Sequence, residues 1–222
     1  MKKIDNKQFI RFFITDYKKI VCELYSKKLL RDHKEFSIKN VGNIMLISRP
    51  LKKDESNILF DTSASIDDIM DMLLKKQEYS FLLYDKSIIQ AEFEIDDGKI
   101  KKERLIFIKK HNHLWAKEEI FLKDIDEFGA DWFYDEKGIP VMIRVDFDYD
   151  NYQDVVHPIT HMTLSNYEEC RIPMMKAVSL FDFVNFILNV FYKEELGFSS
   201  VMQDDNITIT DNERKRLHFE WQ

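Results

Sequence analysis

The stretch "YSFLLYDKSIIQAEFEIDDGKIKKERLIFIKK" (residues 79–110) decides the fold class, because it reads as three strands in succession. Apolar and polar side chains alternate with a period of two, as in a β-strand that has one buried face. Turn-forming residues separate the strands at 85–87 and at 96–98, where Asp97-Gly98 is a strong hairpin signal. The stretch therefore predicts an antiparallel meander.

The segment "VMIRVDFDYD" (141–150) shows the clearest alternation in the chain. One face carries Ile143, Val145, Phe147 and Tyr149, and the other carries Arg144, Asp146, Asp148 and Asp150. The strongly apolar segment at 180–192 is predicted to be a helix, with Ser179 and Asp182 at capping-box spacing. Because each apolar surface needs a partner to bury it, we expect strand 141–149 to be internal to the sheet and covered by this helix.

Two further helices are predicted near the N-terminus. Asp5 can cap a helix that runs to about Leu30, with apolar residues at three- and four-residue steps along one side. Ser65 can cap a second helix over 65–76. The other predicted elements are a short buried strand at 40–48, a short helix near 117–128 and an edge strand at 206–210.

Together these elements predict an α+β fold, in which a central antiparallel sheet (a meander) is packed by N-terminal and C-terminal helices. With 222 residues and a 45% apolar share, the chain can bury a substantial core. We predict a single domain over 1–222. Its parts are a mainly helical segment at 1–76, a sheet and helix core at 79–192 and a tail at 193–222.

Charge is distributed in blocks, and the net charge is −7. Residues 1–53 hold 14 basic and 5 acidic side chains, 54–98 hold 3 and 12, 99–123 hold 8 and 3, and 124–154 hold 2 and 10. The blocks can pair within the molecule, or Lys7, Arg11 and Lys18 on the first helix can form a basic patch for a ligand. The net negative charge favours internal pairing and does not favour a nucleic-acid partner.

The sequence carries no apolar run near the roughly 20 residues that cross a bilayer. Charges interrupt each apolar run of the N-terminus, which is unlike an export signal. Cys22 and Cys170 are far apart, as expected for reduced thiols. These features favour a cytoplasmic protein with no membrane contact, and no motif implies a cofactor.

The most concentrated polar element is "HPITHMTLSNYEECRIP" (157–173). The proline after His157 disfavours a helix there, and "THMTL" alternates as a strand. We expect this strand to begin after the proline and to pair with 141–149, which places His161 on the face of Asp146 and Asp148. A carboxylate nearby would raise the pKa of His161. Met162 and Leu164 would then face the core.

Three roles for this element are open. The histidines can hydrogen-bond a turn and the carboxylates, and so act as a structural latch. They can be the general base and acid of a metal-independent, ribonuclease-like enzyme, with Arg104 or Arg171 steadying a phosphate. They can bind a metal with Asp146 or Asp148, although no spacing typical of metal ligands is present. The latch is favoured, and a thiolate role for Cys170 has no supporting motif.

A second carboxylate pair raises a related question. Glu92 and Glu94 share one face of the predicted strand "AEFEID" (91–96), as Asp146 and Asp148 share one face of "VDFDYD" (145–150). Four carboxylates on neighbouring strands would form a divalent-ion site. Basic residues at Lys101 or Arg104 would instead make the same face a set of ion pairs, which is the favoured interpretation.

Five segments between residues 79 and 192 carry a family resemblance. They are "YSFLLYDKSIIQ" (79–90), "ERLIFI" (103–108), "RVDFDYD" (144–150), "HPITHMTLSNYEECRIP" (157–173) and "FDFVNFILNVFY" (181–192). In this order they resemble an uncharacterised bacterial family, domain of unknown function 2290. The resemblance implies no established activity. It does imply that a set of polar residues recurs together in the family: Asp85, Gln90, Arg104, Asp146, Asp148, His157, His161 and Arg171. The family usually has Asp-Gly in the first hairpin, so Lys86 implies a different turn geometry in this chain.

We expect an accessory or interaction protein of a bacterial assembly, with a protein partner or a second copy of itself. The alternative is a ribonuclease-like toxin or defence effector that uses His157 and His161 with Arg104 and Arg171. Convergence of these four residues in an open cleft would favour the enzyme. Burial with internal partners would favour the structural role.

Overall fold

The structure of the chain is a computed structural model, which describes residues 5–49, 63–109, 140–165, 170–202 and 207–217. Within these ranges one antiparallel sheet contains nine strands: β1 (Leu30–His33), β2 (Ser37–Val41), β3 (Ile44–Ser48), β4 (Phe81–Leu83), β5 (Ile88–Asp96), β6 (Lys99–Lys109), β7 (Val141–Asp148), β8 (Thr160–Leu164) and β9 (Arg171–Pro173). The helices are α1 (Asn6–Ser26), α2 (Ile66–Lys76), α3 (Leu180–Tyr192) and α4 (Asp211–Leu217). The predicted α+β class is confirmed, and the helix predicted near 117–128 lies outside the described residues.

Strands β4 to β9 follow one another across the sheet in chain order, as in a meander. The sheet forks at β5. One edge of β5 pairs with β6, and its other edge pairs first with β4 and then with β3. β1 lies beyond β4, and β2 lies beyond β3. Since β7 lies between β6 and β8, the prediction that strand 141–149 is internal is confirmed.

The helices begin where the sequence supplies capping residues. The Asp5 carboxylate accepts a hydrogen bond from the backbone N–H of Gln8, and the Gln8 side chain accepts one from the backbone N–H of Asp5. Ser65 and Ser179 cap α2 and α3 in the same position, each accepting from a backbone N–H of the first turn. α1 ends earlier than predicted, because Leu30 belongs to β1 and pairs with Leu83.

The two faces of the sheet differ in what covers them. On the face that we call the core face, apolar strand residues share one large core with α1 and α3. That core joins Phe183, Val184 and Ile187 of α3 with Ile143, Val145 and Phe147 of β7, as predicted. On the opposite face, which we call the polar face, α2 packs on one apolar region, formed around Ile88, Ile106 and Met142. Beyond that region the polar face carries mainly charged side chains, and it positions the candidate site.

Two turns add detail to the predicted strands. The segment 40–48 is not one strand, because a turn at Gly42, where φ is +62°, separates β2 from β3. Glycine suits this left-handed backbone since it has no Cβ atom. In the β4–β5 hairpin, Lys86 has a φ of +66°. Lys86 therefore adopts the left-handed backbone geometry that glycine favours. The turn has this geometry even though a lysine, and not a glycine, occupies the position.

The tail differs from its prediction. The described part of the expected edge strand, 207–210, is irregular and leads into α4. Its Thr208 N–H donates to the Met175 carbonyl, and its hydroxyl lies 2.8 Å from the Thr160 hydroxyl of β8. The tail is thus held to the β8–β9 end of the sheet by individual bonds rather than by a strand ladder.

Candidate functional site

A cleft of about 490 Å³ lies on the polar face. Side chains of six strands and of the loop before β8 line it, including Leu46, Glu92, Glu94, Lys102, Arg104, Arg144, Asp146, Asp148, His157, His161 and Arg171. The four residues of the predicted catalytic set, His157, His161, Arg104 and Arg171, therefore line the same cleft. A volume of this size is typical of small-ligand sites.

Strand β6 places basic side chains between the acidic strands β5 and β7. The residues that face one another across the three strands are Glu92–Arg104–Asp146 and Glu94–Lys102–Asp148. Lys102 Nζ lies 3.5 Å from Asp148 and 3.0 Å from Asp150. The basic residue between Glu94 and Asp148 is therefore Lys102 rather than the predicted Lys101. The carboxylates are separated by bases instead of being gathered around one cation.

Asp146 is the centre of this network. Its Oδ1 accepts a hydrogen bond from Arg104 Nε at 2.9 Å, and its Oδ2 accepts one from Arg144 Nε at 2.6 Å. The side chains of Asp146 and Arg144 are 12% and 8% exposed, respectively. Bonds between charged groups of this kind stabilise a carboxylate that burial would otherwise destabilise. Within the described residues, no group of three or more His, Cys, Asp and Glu side chains could hold a metal ion.

His161 is buried and held by its own turn. It lies opposite Asp146 in the β7–β8 ladder, as predicted, and only 1% of its surface is exposed. Its Nδ1 donates to the Pro158 carbonyl at 2.9 Å, because a carbonyl oxygen can only accept. Nε2 lies 3.9 Å from Asp146 Oδ2. Nδ1 therefore carries the proton in the neutral ring, and Nε2 faces the carboxylate.

The predicted rise in the pKa of His161 is wrong. Burial lowers the pKa of His161, and His157 and Arg171 lower it further, while the Pro158 carbonyl and Asp146 act in the opposite direction. Asp146 has the effect that we expected, but desolvation outweighs it. His161 therefore favours the neutral form at neutral pH.

His157 packs against His161 with ring centroids 4.8 Å apart. Burial lowers its pKa, and the positive charge of Arg171 lowers it further. The backbone of His157 itself acts in the opposite direction through a hydrogen bond to the ring. The Nδ1 atom is buried and makes no hydrogen bond to another residue.

Two more such atoms lie close by on the polar face. Arg171 of β9 is directly opposite Thr163 of β8, which is in turn opposite Arg144 of β7. Arg171 Nε and Thr163 Oγ1 are both buried and without a hydrogen-bond partner. Thr163 is 1% exposed and does not line the cleft, whereas Arg171 does. The three atoms, on His157, Thr163 and Arg171, are themselves buried.

The remaining candidates lie away from the cleft. Lys7, Arg11 and Lys18 are exposed on α1, which packs on the core face, so the basic patch and the cleft are on opposite sides of the sheet. Asp85 is buried and binds Lys109 and the Tyr192 hydroxyl, which ties the β4–β5 turn to α3. Gln90 donates to the Glu78 carbonyl. These two residues of the implied constellation stabilise turns.

Several residues of the site were not predicted from the sequence. Arg49, which follows β3, is buried and lies 3.2 Å from Glu92. The alternation had already placed Arg144 on the face of Asp146, but neither Arg144 nor Thr163 was predicted to be a site residue. Arg49 had no such signal, because its partner is distant in the sequence.

The described ion pairs of the sheet mostly join blocks of opposite charge. They include Arg49–Glu92, Lys109–Asp85, Arg104–Asp146 and Lys102–Asp148. Internal pairing of this kind accounts for part of the block pattern without an external partner. No helix in the described ranges is long and apolar enough to span a membrane.

Comparison with known proteins agrees with the resemblance seen in the sequence. Residues 29–221 match a family described as "Uncharacterized conserved protein (DUF2290)". The chain belongs to this family. The DUF2290 match includes all the cleft residues named above, whereas α1 and its basic patch precede it. No curated protein and no solved structure matches the chain.

The lowered histidine pKa values predict how stability depends on pH. Unfolded histidine has a pKa near 6.5, so below that pH the unfolded chain binds protons that folded His157 and His161 do not. We expect the free energy of unfolding to fall as the pH drops through this region, until the folded pKa values are passed. The lowered pKa values of Asp32 and Asp148 act only below about 3.8.

Urea titrations at pH 7 and pH 5 check this expectation. The double variant His157→Asn/His161→Asn should show a smaller difference in unfolding free energy between the two pH values than the wild type. Equal differences would mean that these histidines do not bind protons differently in the folded and unfolded states.

Proposed function

We propose that this protein is a non-catalytic accessory protein of a bacterial cytoplasmic assembly, and that it engages a protein partner through the cleft. One observation carries the proposal. The charged groups of the cleft are largely paired with one another, as in Arg104–Asp146 and Lys102–Asp148, rather than free to react. Arg171 lines the same cleft, and its positive charge would attract an anionic group of a partner that enters it.

The geometry favours binding over catalysis. General acid–base cleavage of a phosphodiester needs two titratable groups that can each reach the reacting atoms. His161 is almost fully buried, and its Nδ1 is held by Pro158. Arg104 is held by Asp146. The two histidine rings touch each other, so they stand on one side of any ligand rather than flanking it.

A second candidate function is a ribonuclease-like toxin or defence effector. The convergence of His157, His161, Arg104 and Arg171 in one cleft is the observation that favours it. In that case His157 would be the group that reaches the substrate, and Arg171 would steady the phosphate.

One experiment on purified protein separates the two functions. Wild type and the double variant His157→Ala/His161→Ala are incubated with mixed RNA and DNA, with and without divalent metal. If the accessory role is right, the wild type should cleave no more RNA or DNA than the variant does. Cleavage by the wild type that disappears in a variant with unchanged melting would overturn it and establish the enzyme.

A capture experiment tests the partner directly. Tagged protein is expressed in its own organism as wild type, as the cleft variant His157→Asn/Arg171→Gln, and as the control Lys7→Glu/Arg11→Glu/Lys18→Glu on the opposite face. We expect one partner protein, or a second copy of the chain, to be retained by wild type and control and lost by the cleft variant. If only the control variant fails to retain the partner, the partner binds α1 instead of the cleft.

A further inference from the structure

One half of the cleft, where β5, β6 and β7 face one another around Lys102, has an excess of negative charge. Lys102 Nζ lies 3.5 Å from Asp148 and 3.0 Å from Asp150. Glu94 lines the cleft opposite Lys102 in the β5–β6 ladder, but within the described part of the chain its carboxylate forms no ion pair. Three carboxylates therefore surround one lysine in this half.

The other half of the cleft, towards β8 and β9, has an excess of positive charge. Arg104 and Arg144 share the carboxylate of Asp146. Arg171 lines the same half, and its side chain forms no ion pair with any residue that the structure describes. The two histidines there have lowered pKa values and favour their neutral forms. Three arginines therefore surround one aspartate, and the cleft has two halves of opposite sign.

Glu94 and Arg171 lie at the two ends of this charge separation. Through the ladders, Glu94 is level with Asp148 of β7. Arg171 is level with Arg144 of the same strand, four residues earlier. Four strand spacings separate β5 from β9, so with about 4.8 Å between strands and about 3.4 Å per residue the two backbones are roughly 20–25 Å apart. An extended peptide covers this distance in about seven residues, whereas the two charges of one amino acid do not.

A ligand that complements both halves carries opposite charges at a matching distance. We propose that the cleft holds an extended segment of the partner protein, with an acidic side chain at the Arg171 end and a basic side chain at the Glu94 end. This inference rests on the binding role proposed for the cleft. Complementary charges of this kind determine the register and the choice of partner more than the affinity.

The same charges disfavour a nucleic acid as the occupant. A phosphate backbone carries a negative charge at every nucleotide. Its phosphates beyond Arg171 would meet Asp148 and Glu94, which line the other half of the cleft. The net charge of −7 opposes a polyanion as well.

Titration of the full chain with blocked peptides of about seven residues tests the segment. The peptides share an uncharged centre of alternating serine and tyrosine and differ in their end residues, which are Asp and Lys, Asp and Asp, or Lys and Lys. A fourth peptide carries Asp and Lys side by side. Amide NMR shifts of the isotopically labelled protein measure the binding. We expect the peptide with Asp and Lys at its ends to bind more tightly than the other three.

Charge reversal should exchange the preference. Arg171→Glu should weaken binding of the Asp/Lys peptide by about tenfold, because an attraction becomes a repulsion, and should favour the Lys/Lys peptide. Glu94→Lys should weaken it similarly and favour the Asp/Asp peptide. Since Arg171 Nε is buried, Arg171→Gln is measured beside the reversal and should lose the preference over the Lys/Lys peptide. Arg11→Glu and Glu195→Lys, which change exposed charges outside the cleft, should bind as the wild type does.

The outcomes are distinct. Wild-type protein that binds all four peptides equally, or none of them, overturns the segment, and so does a preference that survives Glu94→Lys. Tightest binding of the Asp/Asp peptide would replace the segment with an acidic ligand, and equal binding of the side-by-side peptide would replace it with a small zwitterion. If the partner is captured through the cleft although the peptides fail, the proposed function stands without this segment. The expected preference without any captured partner would support the charge match and contradict the accessory role.

Discussion

Replacing Phe147 by alanine should lower the free energy of unfolding by about 3–5 kcal/mol, the range typical of large aromatic truncations in a core. Phe147 is 1% exposed, and it lies on an internal strand in the core that α1 and α3 share. Its ring also meets Tyr149 edge to face, with centroids 5.1 Å apart. The change removes this contact and leaves a cavity between sheet and helices that the paired strand cannot close.

Urea unfolding of Phe147→Ala measures the effect, and Phe186→Ala provides a matched control. Phe186 has the same side chain but is 40% exposed on α3. We expect the control to lose far less stability. If the two variants unfold at similar urea concentrations, Phe147 does not have the buried position described above.

Replacing Asp146 by alanine should cost a similar amount, about 3–5 kcal/mol, for an electrostatic reason. The substitution removes the carboxylate that Arg104 and Arg144 share, while Arg144 stays 8% exposed on an internal strand. A buried positive charge that loses this counter-ion is less well stabilised. Arg104, at 40% exposure, can turn towards solvent and should contribute less to the loss.

Asp150→Ala is the control for this prediction, because the Asp150 side chain is 62% exposed and its ion pair with Lys102 is at the surface. Such surface pairs are worth about 0–1 kcal/mol. The double variant Arg144→Met/Asp146→Leu should recover part of the stability lost by Asp146→Ala, since apolar residues often replace a buried pair without loss. Equal stabilities of Asp146→Ala and Asp150→Ala would show that the network is solvated.

The fold could be predicted where the signal is local. The alternation around Phe147 identified β7 and the residues on each of its faces, and Ser65 and Ser179 marked the beginnings of their helices. β1 was missed because Leu30 continues the apolar pattern of α1, so its change to strand depends on pairing with Leu83. A contact between residues so far apart in the chain leaves no periodic trace.

The sequence predicted which residues form much of the candidate site, but it did not predict the direction of the His161 pKa shift. His161 was placed on the face of Asp146 by its spacing, and the ladder confirms that pairing. Alternation shows which residues share a face, but it does not show how much of the face is buried. Leu164, expected in the core, is 39% exposed, whereas His161 on the other face is 1% exposed. The sign of the His161 pKa shift was wrong for the same reason.

The ends of the sheet limit how another chain can associate with this protein. Among the described strands, the outer ones are β1, β2 and β9, which are only 4, 5 and 3 residues long. Lys39 is exposed on β2, and Pro173 in β9 has no N–H to offer. The longest strands, β5 and β6, have neighbours on both edges. Short outer strands with charge or proline discourage edge-to-edge pairing, so an associating chain should meet side-chain surfaces rather than extend the sheet.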